Sequence, residues 1–397
     1  MAEETGGDRK RKRRTDIALK TMKPVRYPIY IVQRRDLKKR YVEALGKLQN
    51  QDHSNKLKSY HMKWKKLRRE YALTHLPSDI RKILKAEYPK LIGYYLYYKH
   101  EEGRITGDDK KKLEGIFSYD TFHDAIAGFF MDSGNGFDLS VCHYCGTSYI
   151  NKYSVNEEWK GLEKLSNASI PELSKLLRIK TSGTLAQIAA AQPFTSVAQF
   201  NAVFKWRTAD KFHSVFPSLV EKNHFDLDHV LDKSSCPITA ISLMNFVPSC
   251  SVCNEKLKKE RVLGNGATPI EELSPTSKNF KFDSFVEFKL LAKPGRKIGN
   301  RPTRQEDDYD LVMDVKKTEY ERFIEMFHLR ERYQFHKIVA LYWTEMKYRY
   351  TDSRIMMMAN SLHDPAYSVQ RIKDDIFQRE MDKRERCFEK LKRDMLK

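Results

Sequence analysis

The sequence predicts an α+β protein that is predominantly helical. Apolar residues recur at helical spacing through much of the chain, as at Leu37, Tyr41 and Leu45. Residues 280–291 and 309–315 alternate in polarity, which is typical of strands. Two Cys-x-x-Cys pairs lie in turn-like sequence, which indicates a small metal-stapled element within the helical frame.

Length and charge limit the classes of function. A chain of 397 residues can bury a substantial core and can form more than one lobe. Its formal net charge of +20 favours polyanionic partners, either nucleic acid or an anionic membrane surface. Residues 1–70 contain 22 Lys and Arg against 8 Asp and Glu, so +14 of that charge lies there. A merely solvated basic surface is the alternative.

The sequence shows no signal for a membrane or for secretion. It has no run of about 18 apolar residues, and its start lacks the apolar core of a signal peptide. Four of its six cysteines form the two Cys-x-x-Cys pairs, which suits a reducing compartment better than disulfides do. We therefore expect a cytoplasmic protein without a membrane partner, in which Cys236 and Cys387 are free thiols.

Composition and periodicity divide the chain into four regions. Residues 1–15 are predicted to be a disordered basic tail, and residues 16–137 a basic helical region. Residues 138–265 hold both cysteine pairs, with a helical insertion at about 155–220. Residues 266–397 are predicted to form strands and helices, including one long helix over 319–348 and one charged helix over 370–397.

The cysteine pairs are predicted to share one zinc ion. Zinc takes four soft ligands in a tetrahedron, and each Cys-x-x-Cys turn supplies two of them. Between Cys145 of the first pair and Cys250 of the second lie 104 residues, a separation that the insertion can loop out. A redox pair or buried free thiols are the alternatives.

Around the second cysteine pair, the segments LDHVLDKS, NFVPSCSVCN and KLKK place Asp228 and His229 before Asn245 and Asn254. This order resembles the HNH endonucleases, whose fold is the ββα-metal fold. It is most similar to zinc-ribbon-bearing bacterial members, many of which are linked to restriction or anti-phage defence. The strong resemblance covers about 50 residues. It implies an HNH core with a structural zinc knuckle, flanked by helical N- and C-terminal regions, that hydrolyses phosphodiester bonds in DNA.

The resemblance also implies roles for individual residues. His229 would be the general base, because neutral histidine suits proton abstraction near pH 7. Asp228 and Asn254 would bind a catalytic divalent cation, Mg²⁺ or another such as Mn²⁺, through hard oxygen ligands. In a regular strand Asp228 and His229 face opposite sides. Both reach one phosphate only if the strand ends or bulges there, as the resemblance implies.

Other residues are expected to support this site. Asn245 would brace the loop and orient the histidine. Asp226 either adds to the metal ligands or only fixes the strand. Lys258 lies four residues after Asn254, on the same face of a helix, and is a candidate phosphate contact. Further basic residues expected to bind nucleic acid are Arg9, Lys10, Arg11, Lys12, Arg13, Arg14, Lys233, Lys256 and Lys259.

We expect double-stranded DNA as the main partner, although the residues do not separate DNA from RNA. Two alternatives stay open. One is a zinc-stabilised nucleic-acid-binding or scaffold protein without activity. The other is a nuclease subunit that a protein partner, such as an ATPase or sensor subunit, holds silent.

Overall fold

The computed structural model describes residues 35–50, 54–137, 139–156, 219–264, 269–295, 305–378 and 386–397. The chain divides into two compact units, one formed by residues 1–151 with 225–397 and the other by residues 152–224. The predicted basic tail and almost all of the predicted helical insertion lie outside the described residues. Of the helices described, none is long and apolar enough to cross a membrane.

The N-terminal part of the first unit is helical, as the periodicity predicts. In α1, Leu37, Tyr41 and Leu45 are fully buried at intervals of four residues. Helix α2 begins where the side chain of Asn55 accepts a hydrogen bond from the backbone of Lys58 (2.8 Å). The helices are α1 (Arg35–Gly46), α2 (Lys56–Glu70), α3 (Ile80–Leu84), α4 (Tyr88–Glu101), α5 (Gly107–Ile116) and α6 (Tyr119–Met131).

The described strands pair as three separate two-stranded antiparallel sheets. In the second unit, β1 (Lys152–Asn156) pairs with β2 (Leu219–Asn223). In the first unit, β3 (Asp226–His229) pairs with β4 (Phe246–Ser249). Also in the first unit, β5 (Val286–Ala292) pairs with β6 (Tyr309–Val315). The bounds predicted for β6 are confirmed, whereas β5 begins six residues after the predicted start at Phe280, because the chain first forms a short helix over Phe282–Phe285. The prediction of a mixed α+β fold that is mostly helical is confirmed.

The single helix predicted over 319–348 is wrong. The chain forms three helices there, because His328 adopts a left-handed conformation (φ 47°) and a second break follows at His336. Apolar residues continue at helical spacing across both breaks, so periodicity did not reveal them. The C-terminal helices are α7 (Ile270–Leu273), α8 (Phe282–Phe285), α9 (Glu319–Met326), α10 (Leu329–Phe335), α11 (Lys337–Arg349), α12 (Asp352–Leu362), α13 (Val369–Ile376) and α14 (Glu389–Met395).

The charged helix predicted over 370–397 is also wrong as one element. Helix α13 ends at Ile376, and Gln378 then turns into the left-handed region (φ 51°). Helix α14 begins after Phe388, which is left-handed as well (φ 63°). A residue whose backbone lies in the left-handed region cannot continue a right-handed helix.

The loop between β3 and β4 is held by the N-terminal helices. The hydroxyl of Tyr41 donates to the carbonyl of Ile241 (2.9 Å), and the hydroxyl of Ser242 donates to the carbonyl of Ile83 (3.1 Å). Both hydroxyls are buried, so each of these bonds satisfies polar atoms that water does not reach. The helical region thereby fixes the loop on which the candidate site depends.

Candidate functional site

The predicted catalytic and cation-binding residues lie on a hairpin and on the helical turns that follow it. The β3–β4 register runs without a bulge through the pairs Asp228 with Val247 and His229 with Phe246, and β3 ends at His229. Directly after β4 the chain forms π-helical turns over Val252–Lys258. The π-helical conformation is rare in proteins.

Two side-chain pairs join β3 to these turns. Asp226 and Asp228 are two residues apart, so they share one face of the strand. The side-chain amide of Asn254 donates to Asp226 (3.3 Å), and the ammonium of Lys258 lies 3.1 Å from a carboxylate oxygen of Asp228. The strand and the helical turns therefore face each other through polar contacts.

Asp228 is deeply buried and fully engaged. Only 3% of its surface is exposed, and besides Lys258 it accepts a hydrogen bond from the hydroxyl of Tyr144. Burial raises the pKa of Asp228 to about 6, although the charge of Lys258 and the Tyr144 hydrogen bond oppose that rise. The carboxylate thus belongs to a buried polar triad of Asp228, Lys258 and Tyr144.

The prediction that Lys258 contacts a phosphate is wrong. Its side chain is 1% exposed, and its ammonium donates to the carbonyl of His229 (2.7 Å) as well as to Asp228 (3.2 Å). A lysine held in this way is a structural cation of the core. Helical spacing places Lys258 on the same side as Asn254, but it does not show that the carboxylate of Asp228 faces the lysine.

His229 points away from Asp228 and packs among aromatic rings. The centroid of its ring lies 4.9 Å from that of Tyr119 and 5.0 Å from that of Phe246. Its Nε2 lies 2.9 Å from the carbonyl oxygen of Ala240. A carbonyl can only accept, so Nε2 carries the hydrogen and Nδ1 holds a lone pair. Burial, assisted by the charge of Lys233, lowers the pKa of His229 to about 3, so the imidazole is neutral at physiological pH.

Asn245 braces the loop that follows β3. Its side-chain oxygen accepts from the backbone of Leu231 (2.7 Å), and its amide donates to the carbonyls of Leu231 (3.0 Å) and Thr239 (3.1 Å). The residue is fully buried, so each bond replaces one that water would otherwise make. Asn245 therefore shapes the loop that carries Ala240, the partner of His229. Its contribution to catalysis stays a prediction.

The four cysteines of the two Cys-x-x-Cys pairs come together. The sulfur atoms of Cys142, Cys145, Cys250 and Cys253 all lie within 4.8 Å of one another. Around a tetrahedral zinc with bonds of 2.3 Å, sulfur atoms would be about 3.8 Å apart. The donor set and spacing fit the predicted zinc, and the four cysteines can bind such a metal.

The first cysteine pair lies in a tight knuckle. The backbone of Gly146 donates to the carbonyl of Cys142 (2.9 Å), and Gly146 is left-handed (φ 64°). A Cβ at Gly146 would also lie 3.0 Å from the hydroxyl of Tyr333. The knuckle docks on β4, because the backbone of His143 donates to the carbonyl of Pro248 (3.2 Å). The left-handed backbone of Gly146 and the close approach of the Tyr333 hydroxyl both favour glycine at this bend.

Two of the thiols are prepared to lose their protons. Hydrogen bonding from the Cys142 thiol lowers the pKa of Cys250 to about 6, and the same thiol lowers the pKa of Cys145. Burial raises the pKa of Cys142, and hydrogen bonding with Cys142 raises the pKa of Cys253, so these two thiols keep their protons. Zinc binds thiolates, so metal binding here would release protons.

A divalent cation that prefers oxygen has fewer donors ready. Asp226 and Asn254 are only partly buried and both carry hard oxygen donors, which suit Mg²⁺ or Mn²⁺. The carboxylate of Asp228 already accepts hydrogen bonds from Lys258 and Tyr144. Among the described residues, the cysteine cluster is the one group of three or more His, Cys, Asp or Glu side chains placed to hold a metal ion. A catalytic cation at Asp228, Asn254 and Asp226 therefore stays a prediction.

The remaining predicted basic residues divide into two sets. Lys233, Lys256 and Lys259 are exposed, and the ammonium of Lys233 lies 5.0 Å from the ring centroid of Tyr119, beside His229. The basic run of residues 9–14 lies outside the described residues. Sequence reasoning missed the parts played by Tyr144 and Tyr119. The position of Tyr144 between the two knuckle cysteines was the one available signal.

Comparison of the whole chain with family models, with curated proteins and with solved structures finds no match.

Proposed function

We propose that this chain is a metal-dependent endonuclease of the HNH type that hydrolyses phosphodiester bonds in DNA, with a structural zinc bound by its four clustered cysteines. The observation that carries the proposal is the state of His229. Its Nε2–H is held by the carbonyl of Ala240, and its Nδ1 is an unprotonated acceptor at the end of β3. A general base for water needs such an acceptor.

The other residues have complementary roles in this proposal. Asp226 and Asn254 would hold the divalent cation, and Asp228 joins them in the resemblance. When bound, that cation would stabilise negative charge on the phosphate as a Lewis acid. Asn245 fixes the loop that orients His229 through Ala240. The protein's own contribution is thus a fixed base at the end of β3 and, on the strand and the π-helical turns, oxygen donors for the cation.

Positive charge supports a nucleic-acid substrate. Lys233 lies close to the aromatic group around His229, and Lys256 and Lys259 are exposed on the π-helical turns. Phosphate neutralisation by such residues makes affinity fall steeply with salt. We expect DNA affinity to drop at least tenfold between about 50 and 200 mM salt, measured by fluorescence anisotropy. A role in restriction or anti-phage defence is part of the same proposal.

One observation favours a second candidate, a zinc-stabilised nucleic-acid-binding protein without activity of its own. The carboxylate of Asp228 already has Lys258 and Tyr144 as partners, and the side chains of Asp228 and His229 contact different neighbours. A pure binding protein would need no more than this satisfied core. A nuclease that awaits an ATPase or sensor subunit would behave in the same way when tested alone.

Plasmid cleavage separates these functions. Purified protein would be incubated with supercoiled plasmid and Mg²⁺, Mn²⁺ or EDTA, beside His229→Ala. The matched control is His123→Ala, an exposed histidine whose ring centroid lies 5.4 Å from that of Tyr119. Metal-dependent nicking or linearisation that is lost only in His229→Ala supports the nuclease. Salt-sensitive DNA binding without cleavage supports the binding protein or the partner-gated subunit.

A further inference from the structure

An arginine from the C-terminal helices lies against the cysteine cluster. The guanidinium of Arg332, on α10, is half-buried, and its Nη1 donates to the sulfur of Cys253 (3.3 Å). Its Nη2 donates to the hydroxyl of Thr147 (3.1 Å). One planar side chain thus contacts the second cysteine pair directly and the knuckle through Thr147.

Thr147 extends this contact to the first cysteine pair. Its hydroxyl donates to the sulfur of Cys145 (3.2 Å), and its backbone N–H points at the same sulfur (3.5 Å). The hydroxyl therefore accepts a hydrogen bond from Arg332 and donates its own hydrogen to the sulfur of Cys145. Arg332 reaches a sulfur of each cysteine pair, one directly and one through Thr147.

The negative charge of a zinc ion bound by four thiolates favours a cation at this position. Zinc bound by four thiolates carries a net charge of −2, and a charge buried away from water is costly unless it is paired. The guanidinium of Arg332 supplies a positive charge in direct contact with the sulfur of Cys253. A guanidinium is also a strong donor to an anionic acceptor.

We propose that Arg332 is an outer-sphere residue of the zinc centre, which partly neutralises the tetrathiolate and, together with Thr147, protects its sulfur atoms from electrophiles and slows the loss of zinc. The proposal rests on the zinc centre of the proposed function and is independent of nuclease activity. Hydrogen bonds to a metal-bound thiolate draw electron density from the sulfur and lower its nucleophilicity.

The next residue supports this assignment. Tyr333 donates its hydroxyl to the carbonyl of Cys145 (2.8 Å), so adjacent positions of α10 hold the knuckle through the backbone of Cys145 and through the hydroxyl of Thr147. The left-handed break at His328 starts α10 in a new direction, and this redirected helix carries both contacts. The turn that sequence periodicity missed is the one that brings Arg332 to the cluster.

The test uses zinc-loaded protein and two readouts other than cleavage. Zinc transfer to a chromogenic chelator and alkylation of each cysteine by iodoacetamide, mapped by mass spectrometry, would be timed for wild type and Arg332→Gln. Loss of an outer-shell partner typically changes metal affinity by about 10–100-fold, so we expect both rates to rise about tenfold or more. Arg330→Gln is the matched control, because Arg330 lies on the same helix and pairs with Glu321 (2.5 Å).

Thr147→Val gives a second test that leaves the guanidinium in place. It removes the hydroxyl that joins Arg332 to Cys145, so alkylation should accelerate at Cys145 more than at Cys253, even where Arg332→Gln lowers the yield of folded protein. Rates equal to wild type in both variants would overturn the role of Arg332 while leaving the zinc centre intact. Wild-type protein that retains no zinc would overturn the centre and, with it, this proposal.

Discussion

Tyr144 lies between the two cysteines of the knuckle and donates its hydroxyl to the carboxylate of Asp228. Its ring stacks on Phe327, with centroids 4.4 Å apart and planes 19° apart, so the hydroxyl has a fixed direction. The cysteine cluster and the candidate hydrolytic site are therefore joined by one buried side chain. A change at the metal centre is expected to be felt at Asp228.

Removing the Tyr144 hydroxyl tests this link. Tyr144→Phe should lower the free energy of unfolding by about 1–3 kcal/mol, because Asp228 stays buried with one partner fewer. Zinc content should not change, since Tyr144 supplies no ligand. Urea unfolding at pH 7 measures the first effect and metal analysis the second. Tyr149→Phe, on an exposed tyrosine of the same loop, should match wild type; equal stability of the two variants would refute the link.

Loss of one clustered cysteine should unfold much of the first unit. Cys142→Ser leaves three thiolates, and structural zinc sites contribute free energy directly to folding. We expect zinc content to fall to near zero and the melting temperature to drop by more than 10 °C, as measured by metal analysis and calorimetry. Cys387→Ser, outside the cluster, is the control. A Cys142→Ser protein with the zinc content and melting temperature of wild type would contradict the centre.

The buried ion pair predicts a non-additive double mutant. Lys258→Met leaves Asp228 as an unpaired buried charge, which should cost roughly 3–5 kcal/mol of stability. Adding Asp228→Asn should recover much of that loss, because no charge then remains uncompensated. Chemical denaturation of the single and double variants closes the cycle.

Lys256→Met, on an exposed side chain of the same π-helical turns, is the matched control and should leave stability within about 0.5 kcal/mol of wild type. If Lys258→Met instead kept wild-type stability and weakened DNA binding alone, the original prediction of a phosphate contact would be restored.

Local sequence patterns predicted part of the site, and long-range contacts explain what they missed. Each Cys-x-x-Cys turn supplies two ligands, and a glycine allows the chain to bend beside the first turn. Both are properties of short segments, so the sequence predicts them. The partner of Lys258 lies 30 residues away and Arg332 lies 79 residues after Cys253, and spacing within one helix says nothing about which groups lie opposite. The break at His328 was hidden because apolar periodicity continues on both sides of a single left-handed residue.

The lowered pKa of His229 makes a signed prediction for pH. The imidazole titrates at about 3 in the folded protein against an ordinary value of 6.5, so the unfolded chain binds more protons between those values. The contribution of His229 to the free energy of unfolding is therefore fully present above pH 6.5. It is lost as pH falls toward 3, by up to about 1.4 kcal/mol per pH unit. Asp228 acts in the opposite direction, because its folded pKa is raised to about 6, and it would mask this slope in wild type alone.

A difference measurement isolates the histidine. His229→Gln keeps a side-chain N–H for the carbonyl of Ala240 but has no titrating group. The free energy of unfolding of wild type minus that of the variant should decline by about 1.4 kcal/mol for each pH unit below 6.5, and stay constant above it. Urea unfolding from pH 5 to 8 covers both regimes. A difference that is flat across this range would mean that the imidazole keeps an ordinary pKa in the folded protein and is not desolvated by the aromatic rings around it.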